Sequence, residues 1–198
     1  NWTAVSTLNT GRPAAGAGGT NTSALAFGGS PNRALTEEWN GSSWTEVADL
    51  ATARNVGKQR GGAESDNTSS IAMSGSNPGG NSAATEEWTG AGAPIGAWST
   101  GGAMNTARNN AAGFGTQVAG ITAGGGTPSA TANVESYNGT NWTEVNNLNT
   151  GRFQDTGAGT ATAGLVFGGG PGSGESADTE TWNGTNWTEV NNLTTARR

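Results

Sequence analysis

Five tryptophans are each followed ten residues later by an arginine: Trp2 and Arg12, Trp44 and Arg54, Trp98 and Arg108, Trp142 and Arg152, Trp187 and Arg197. Successive pairs lie 42 to 54 residues apart. A fixed spacing recurring at that period marks a repeat architecture, in which each unit is one supersecondary element that buries its apolar face only against its neighbours.

Between the pairs, three further signals recur in one order. A short apolar run ends in glycine, as in Ala24–Gly29, Ile71–Gly75, Gly120–Gly125 and Gly164–Gly169. A glutamate two residues before an aromatic follows, with Glu37, Glu86, Glu135 and Glu180 preceding Trp39, Trp88, Tyr137 and Trp182. A tight turn then leads to the next tryptophan, and in three copies it holds Asn-Gly (Asn40-Gly41, Asn138-Gly139, Asn183-Gly184), the pair that best tolerates the positive φ angles of a two-residue hairpin. With 35 glycines and no long run of apolar residues at helical spacing, the chain is expected to form short strands and no helix. A polar, glycine-rich chain could instead be disordered, but disorder gives no reason to hold eight tryptophans in register.

Each unit therefore reads as four strands: one rich in Gly and Ala after the arginine, the apolar strand, the Glu-x-aromatic strand and the Trp strand. Four antiparallel strands per unit of this length describe an all-β propeller blade. These residues resemble the kelch repeat of galactose-oxidase-type propellers, and the resemblance covers essentially the whole chain. One departure is that Trp replaces the usual Tyr in three of four copies. The Asn-Gly-Thr-Asn-Trp-Thr-Glu-Val version is similar to kelch-like arrays in structural proteins of marine bacteriophages.

The array reads as one propeller over residues 1–198, with an outer strand at 1–12 and units near 13–54, 55–108, 109–152 and 153–198. One Trp strand is surplus to four blades. Either the chain is a piece of a longer array, or blades are shared between chains as in a homo-oligomer, or four blades close alone. Residues 138–152 and 183–197 differ only at Asn149/Thr194 and Gly151/Ala196, a sign of recent duplication. The second unit carries insertions near Arg60–Asn67 and Thr89–Ala97, expected on one rim as tolerated loop growth.

With no His and no Cys, the chain cannot supply a His-ligated metal centre, a Ser-His-Asp or Cys-His nucleophile, or a disulfide. The copper chemistry of galactose oxidase is thus excluded, and no cofactor and no catalytic activity are expected. Glu37 with Glu38, and Glu86 with Glu87, are adjacent in strands and point to opposite faces, so they do not form a catalytic pair. The glutamates and Arg54, Arg108 and Arg152 recur in every unit, which favours a scaffold role as charge pairs within or between blades over a ring of arginines around an anion. Trp44, Trp98, Trp142 and Trp187 are expected in the core.

Nine basic against fifteen acidic residues give a net charge of −6, which opposes nucleic-acid binding. No apolar run of spanning length exists, so membrane insertion is not expected. The Asn-x-Ser/Thr sequons, such as Asn40, Asn67 and Asn186, follow from a turn-rich composition.

Propeller geometry puts the fourth-to-first and second-to-third strand loops on one face, where the units differ most. Arg33, Asn55, Asn109, Asn110, Phe153, Gln154 and Asp155 are the candidate ligand-binding residues there, a set of amides, charges and one aromatic suited to sugar hydroxyls and ring faces. The expected function is a non-catalytic recognition module, in a virion or an extracellular structure, that contacts host-surface glycan or protein. A structural or decorative virion protein contacting other subunits is the alternative.

Overall fold

A computed structural model of the chain describes residues 3–56, 67–90, 96–172 and 174–198. It is an all-β, four-bladed propeller. Blade one comprises β1 (Gly16–Gly19), β2 (Ala24–Phe27), β3 (Thr36–Trp39) and β4 (Trp44–Val47). Blade two comprises β5 (Ser69–Met73), β8 (Thr85–Thr89) and β9 (Ala97–Thr100), with a small hairpin of β6 (Ser76–Asn77) and β7 (Gly80–Asn81) between the first two. Blade three is β10 (Ala112–Thr116), β11 (Ala119–Ala123), β12 (Val134–Tyr137) and β13 (Trp142–Val145). Blade four is β14 (Thr156–Thr160), β15 (Ala163–Phe167), β16 (Thr179–Trp182) and β17 (Trp187–Val190).

Strands pair antiparallel in chain order within each sheet. The innermost strand expected in blade two, Trp2, Lys58 and most of both insertions lie outside the described residues. The described residues contain no helix.

The two aromatic positions of each unit face one another as cross-strand pairs: Trp39 with Trp44, Trp88 with Trp98, Tyr137 with Trp142 and Trp182 with Trp187. Their ring centroids lie 5.4, 5.5, 4.9 and 5.2 Å apart. Such pairs add to the gain from burial because ring edges carry the opposite partial charge to ring faces.

Alternation then sends each blade's two faces in opposite directions. Leu25 and Phe27 of β2 pack on Ala72, Trp88 and Trp98 of blade two. Ile71 and Met73 of β5 pack on Tyr137 and Trp142 of blade three. Phe114 and Ile121 of blade three pack on Val166, Trp182 and Trp187 of blade four. The core is thus a series of blade-to-blade contacts. In two of them an indole N–H crosses over, Trp98 Nε1 to Thr36 Oγ1 at 2.9 Å and Trp142 Nε1 to Thr85 Oγ1 at 2.8 Å. In the third, Val134 stands at the position of those threonines, and the buried Trp187 Nε1 has no hydrogen-bond acceptor among the described residues.

The segment expected as an outer strand over 1–12 forms no strand across its described residues, 3–12. A strand there would need a free Glu-x-aromatic strand of a preceding blade, and β16 already pairs with β17. Side-chain bonds hold the segment to blade one instead, from Ser6 Oγ to the Ser42 carbonyl and from Asn9 Nδ2 to the Trp44 carbonyl.

Replacing Trp142 by Ala should cost about 3 to 5 kcal/mol in urea unfolding, because the site is buried between two blades that collapse only partly around a void. Trp142→Phe should cost less, since it keeps most of the apolar contact and loses mainly the bond to Thr85.

Candidate functional site

Three of the repeated arginines, Arg54, Arg108 and Arg152, are anchored at both ends, and Arg197 is anchored at its carbonyl. Each main-chain carbonyl accepts a hydrogen bond from the last glycine of its own unit's apolar run: Gly29 to Arg54, Gly75 to Arg108, Gly125 to Arg152 and Gly169 to Arg197, at 2.8 to 3.0 Å. The approach is close enough to demand glycine. A Cβ on Gly124, whose φ is +67°, would lie 2.7 Å from the Arg152 carbonyl oxygen.

The side chains of Arg12, Arg54, Arg108 and Arg152 then cross to the glutamate of the following blade. Arg12 meets Glu37 at 2.5 Å and Arg54 meets Glu86 at 2.6 Å, and Arg108 and Arg152 make the same contact with Glu135 and Glu180. These side chains are at most 2% exposed. The second carboxylate oxygen accepts a backbone amide from the segment just before the arginine: Asn9 to Glu37, Ala51 to Glu86, Asn105 to Glu135 and Asn149 to Glu180, at 2.6 to 2.8 Å. Further guanidinium donors reach main-chain carbonyls, including Arg108 to Asn133 and Arg152 to Asp178. Burial pulls Arg54 and Arg108 below the usual guanidinium range, and the partner glutamates oppose that shift. At Glu37 burial pushes upward, but the Asn9 and Thr10 amides and the Arg12 guanidinium outweigh it and leave the carboxyl below its ordinary value. These arginines form no open ring around the axis: their heads are buried and engaged.

The residues after each arginine form the variable loops. Asn55, Asn109 and Phe153 each make a two-bond backbone bridge to the second-to-third strand loop of the next blade, at Ser76, Gly126 and Gly170. The two loop sets therefore lie side by side. Asn109, Asn110, Phe153 and Gln154 are half-buried and adjacent: the Gln154 amide donates to the Asn110 carbonyl at 2.8 Å, and Asn110 Nδ2 donates to Asn109 Oδ1. Asn110 and Gln154 hold left-handed φ values of 50° and 60°.

Arg33 and Asn55 sit elsewhere, at the junction of blades one and two, where Arg33 bridges Arg54 and the Asn55 amide reaches Asn32 Oδ1. Arg33 is exposed and Asn55 half-buried. Sequence reasoning missed Asn81, whose Nδ2 bonds the Gly126 carbonyl and carries the β6–β7 hairpin up to the Asn109 loop. Asn77-Pro-Gly-Gly80 forms the tight turn between β6 and β7, a signal that could have located the hairpin but not its destination.

Asp155 is not a surface residue, which corrects its placement among the candidate ligand contacts. It is 1% exposed, neither carboxyl oxygen has a hydrogen-bond partner among the described residues, and Gly124 and Gly169 press against it. Burial pushes its carboxyl up to about 8, against the pull of nearby backbone amides and of Arg152 and Arg108.

Two other features lie away from these loops. Tyr137, standing where the other units have Trp, donates its hydroxyl to Glu87 of blade two, and burial and that carboxylate push the phenol up to about 12. A recess of about 230 Å³ lies at the outer edge between blades three and four, lined by Val145, Asn146, Trp182, Gly184 and Thr185. No group of three or more acidic side chains able to hold a metal ion occurs among the described residues.

Neither a protein-family model nor a curated protein sequence matches the chain. The fold matches a solved structure, that of YjhT, with a TM-score of 0.74 at 9% identity, over 96% of this chain and 68% of that one. With its four antiparallel blades, the chain has a kelch-type β-propeller fold. YjhT, a kelch-repeat protein, is one example of the architecture, and at that identity the likeness is one of fold.

Arg108→Ala should destabilise the protein by about 3 to 5 kcal/mol, because it leaves Glu135 buried without its counter-charge. Phosphate should not raise the melting temperature of the parent through these sites, since the heads of Arg12, Arg54, Arg108 and Arg152 are already occupied. Asp155 gives a pH signature of opposite sense to a salt bridge. Its proton is held in the folded state up to about pH 8 but released from the unfolded chain above its ordinary 3.8. Stability from this group therefore falls as pH rises through that window, by up to about 1.4 kcal/mol per pH unit, and levels off above it. Asp155→Asn should flatten that part of the profile in urea melts measured from acid to mildly alkaline pH.

Proposed function

We propose that the chain is a non-catalytic recognition module of a virion or an extracellular structure, and that it contacts a host-surface glycan or protein through the loops beside Asn109 and Phe153. The observation that carries this reading is a division of labour among the side chains. The charged and aromatic residues that recur in each unit are mostly consumed in the scaffold, as buried Arg–Glu pairs and stacked aromatic pairs. Asn109, Asn110, Phe153 and Gln154 differ from unit to unit, remain half-exposed and are held adjacent by backbone bonds. Two amide side chains flanking an aromatic ring and a third amide suit the alternating hydroxyls and apolar faces of a sugar.

The chemistry supports a binding role over a catalytic one. The chain has no histidine or cysteine, and its repeated carboxylates are held in charge pairs. A structural role in subunit contacts is the second reading, favoured by the half-exposed Leu165 and Phe167 on blade four.

A combined variant tests the first reading: Asn109→Ala and Phe153→Ala with Asn110→Gly and Gln154→Gly, glycine being chosen for the two left-handed positions. It should lose binding on a glycan array or to host-cell envelopes that the parent recognises, with little change in melting temperature. Retained binding, or binding abolished instead by Asn146→Ala and Thr185→Ala in the outer recess, would move the contact surface away from these loops.

A further inference from the structure

Three blade-to-blade contacts exist within the chain, yet four blades present a fourth pair of faces. We propose that the outward face of blade four and the opposite-facing side of blade one are the two halves of one more such contact, made head to tail between copies of this chain.

The outward face of blade four carries the residues that the first three blades bury. Leu165 and Phe167 stand at the positions of Leu25 and Phe27, Ile71 and Met73, and Ile121 and Ala123. All six of those are at most 1% exposed, whereas Leu165 and Phe167 are half-buried and Val190 on the same face is 38% exposed. Thr179 stands at the position of Thr36 and Thr85, the two threonines that accept an indole N–H from the following blade. From Thr156 to Val190, the residues whose register turns them to this face include no charged side chain.

Blade one presents the complementary side. Trp44 stands where Trp98, Trp142 and Trp187 receive the preceding blade, and it is half-buried, as Trp98 is, where Trp142 and Trp187 are buried. Among the described residues β14 packs on β10, and no comparable packing joins β14 to β1.

Arg197 shows the same incompleteness. Its carbonyl is bonded to Gly169 like those of the other arginines, but its side chain is exposed and forms no ion pair among the described residues. At the receiving side, Arg12 of the same chain already occupies Glu37, so docking buries no bare carboxylate there.

A second copy is the partner that fits, because both apolar halves of the contact are present on this one sequence and its Leu, Phe, Thr and Trp positions match those of the contact between blades one and two; the Arg–Glu pair of the other contacts is not remade, since Arg12 of the receiving copy holds Glu37. In the docked pair, Phe167 of one copy lies against Trp44 of the next, as its counterpart Phe27 lies against Trp98 at 5.1 Å. Thr179 Oγ1 accepts the Trp44 indole N–H. Residues 3–8 of the receiving copy form no ladder and shift to admit β17 of the incoming one. Such a contact joins two different patches, so it closes into a ring where the rotation allows and grows a filament where it does not.

Sedimentation velocity of the 198-residue chain from low to high micromolar concentration tests this. The parent should associate by mass action into dimers or longer assemblies. Phe167→Asp and the less intrusive Val190→Asp should each leave a folded monomer, while Val118→Asp, at another exposed apolar site, should associate as the parent does. Trp44→Glu should also be monomeric alone. Phe167→Asp mixed with Trp44→Glu should form a one-to-one dimer and go no further, because each retains one intact face. A parent that stays monomeric throughout, association indifferent to Val190→Asp, or failure of the mixed pair to dimerise would overturn the proposal, with further blades of the same chain then the occupant of these faces.

Discussion

The buried ion pair between each repeated arginine and the glutamate of the following blade sets the register of this propeller. Two charges taken out of water recover little net stability from each other, but removing either one strands its partner at high cost. That asymmetry makes the pair a device for specifying geometry. The arginine carbonyl is fixed to the glycine doublet of its own blade, its guanidinium to the next blade's carboxylate, and the second carboxylate oxygen to the backbone between them. One residue thus ties the end of one sheet, the linker and the middle of the next sheet at a single point. The arrangement satisfies these polar groups only at one spacing, which explains why ten residues separate tryptophan and arginine in each unit.

The apolar contacts supply most of the stabilisation that this register organises. Strand alternation places Leu, Ile, Phe or Met on one side of a blade and the paired aromatics on the other, so neighbouring blades meet aliphatic against aromatic. Small variations in this scheme have readable consequences. Where Val134 replaces the usual threonine, the Trp187 indole nitrogen goes unbonded; where Tyr137 replaces tryptophan, its hydroxyl reaches across to Glu87.

Function, on the reading proposed above, belongs to what the repeat does not constrain. The Arg–Glu–Gly clamp fixes the path of each linker up to the arginine and leaves the following two or three residues to vary. The bridges from Asn109 to Gly126 and from Phe153 to Gly170 then hold those variable residues on a rigid floor, which lowers the ordering cost of any contact they make. Asp155 shows the limit of this freedom, since the third residue after the arginine already turns inward beneath the glycine doublet of its neighbour.

The sequence by itself determined the blade. Spacing of Trp, Arg and Glu, the glycine-ended apolar runs and the Asn-Gly turns specify four short antiparallel strands per unit, because each signal acts within a few residues along the chain. It also marked the repeated charges as scaffold, since a residue that recurs in every blade meets the same surroundings in each. Tertiary structure alone decided that Arg12, Arg54, Arg108 and Arg152 reach the following blade, that Asp155 is interior, that Asn81 reaches the Asn109 loop, and that residues 3–12 form no strand. It also decided that Leu165 and Phe167 are half-buried where their counterparts in the other blades are fully buried. Those outcomes depend on which sheet lies beside which, and side chains 25 to 60 residues apart meet only once the blades have stacked.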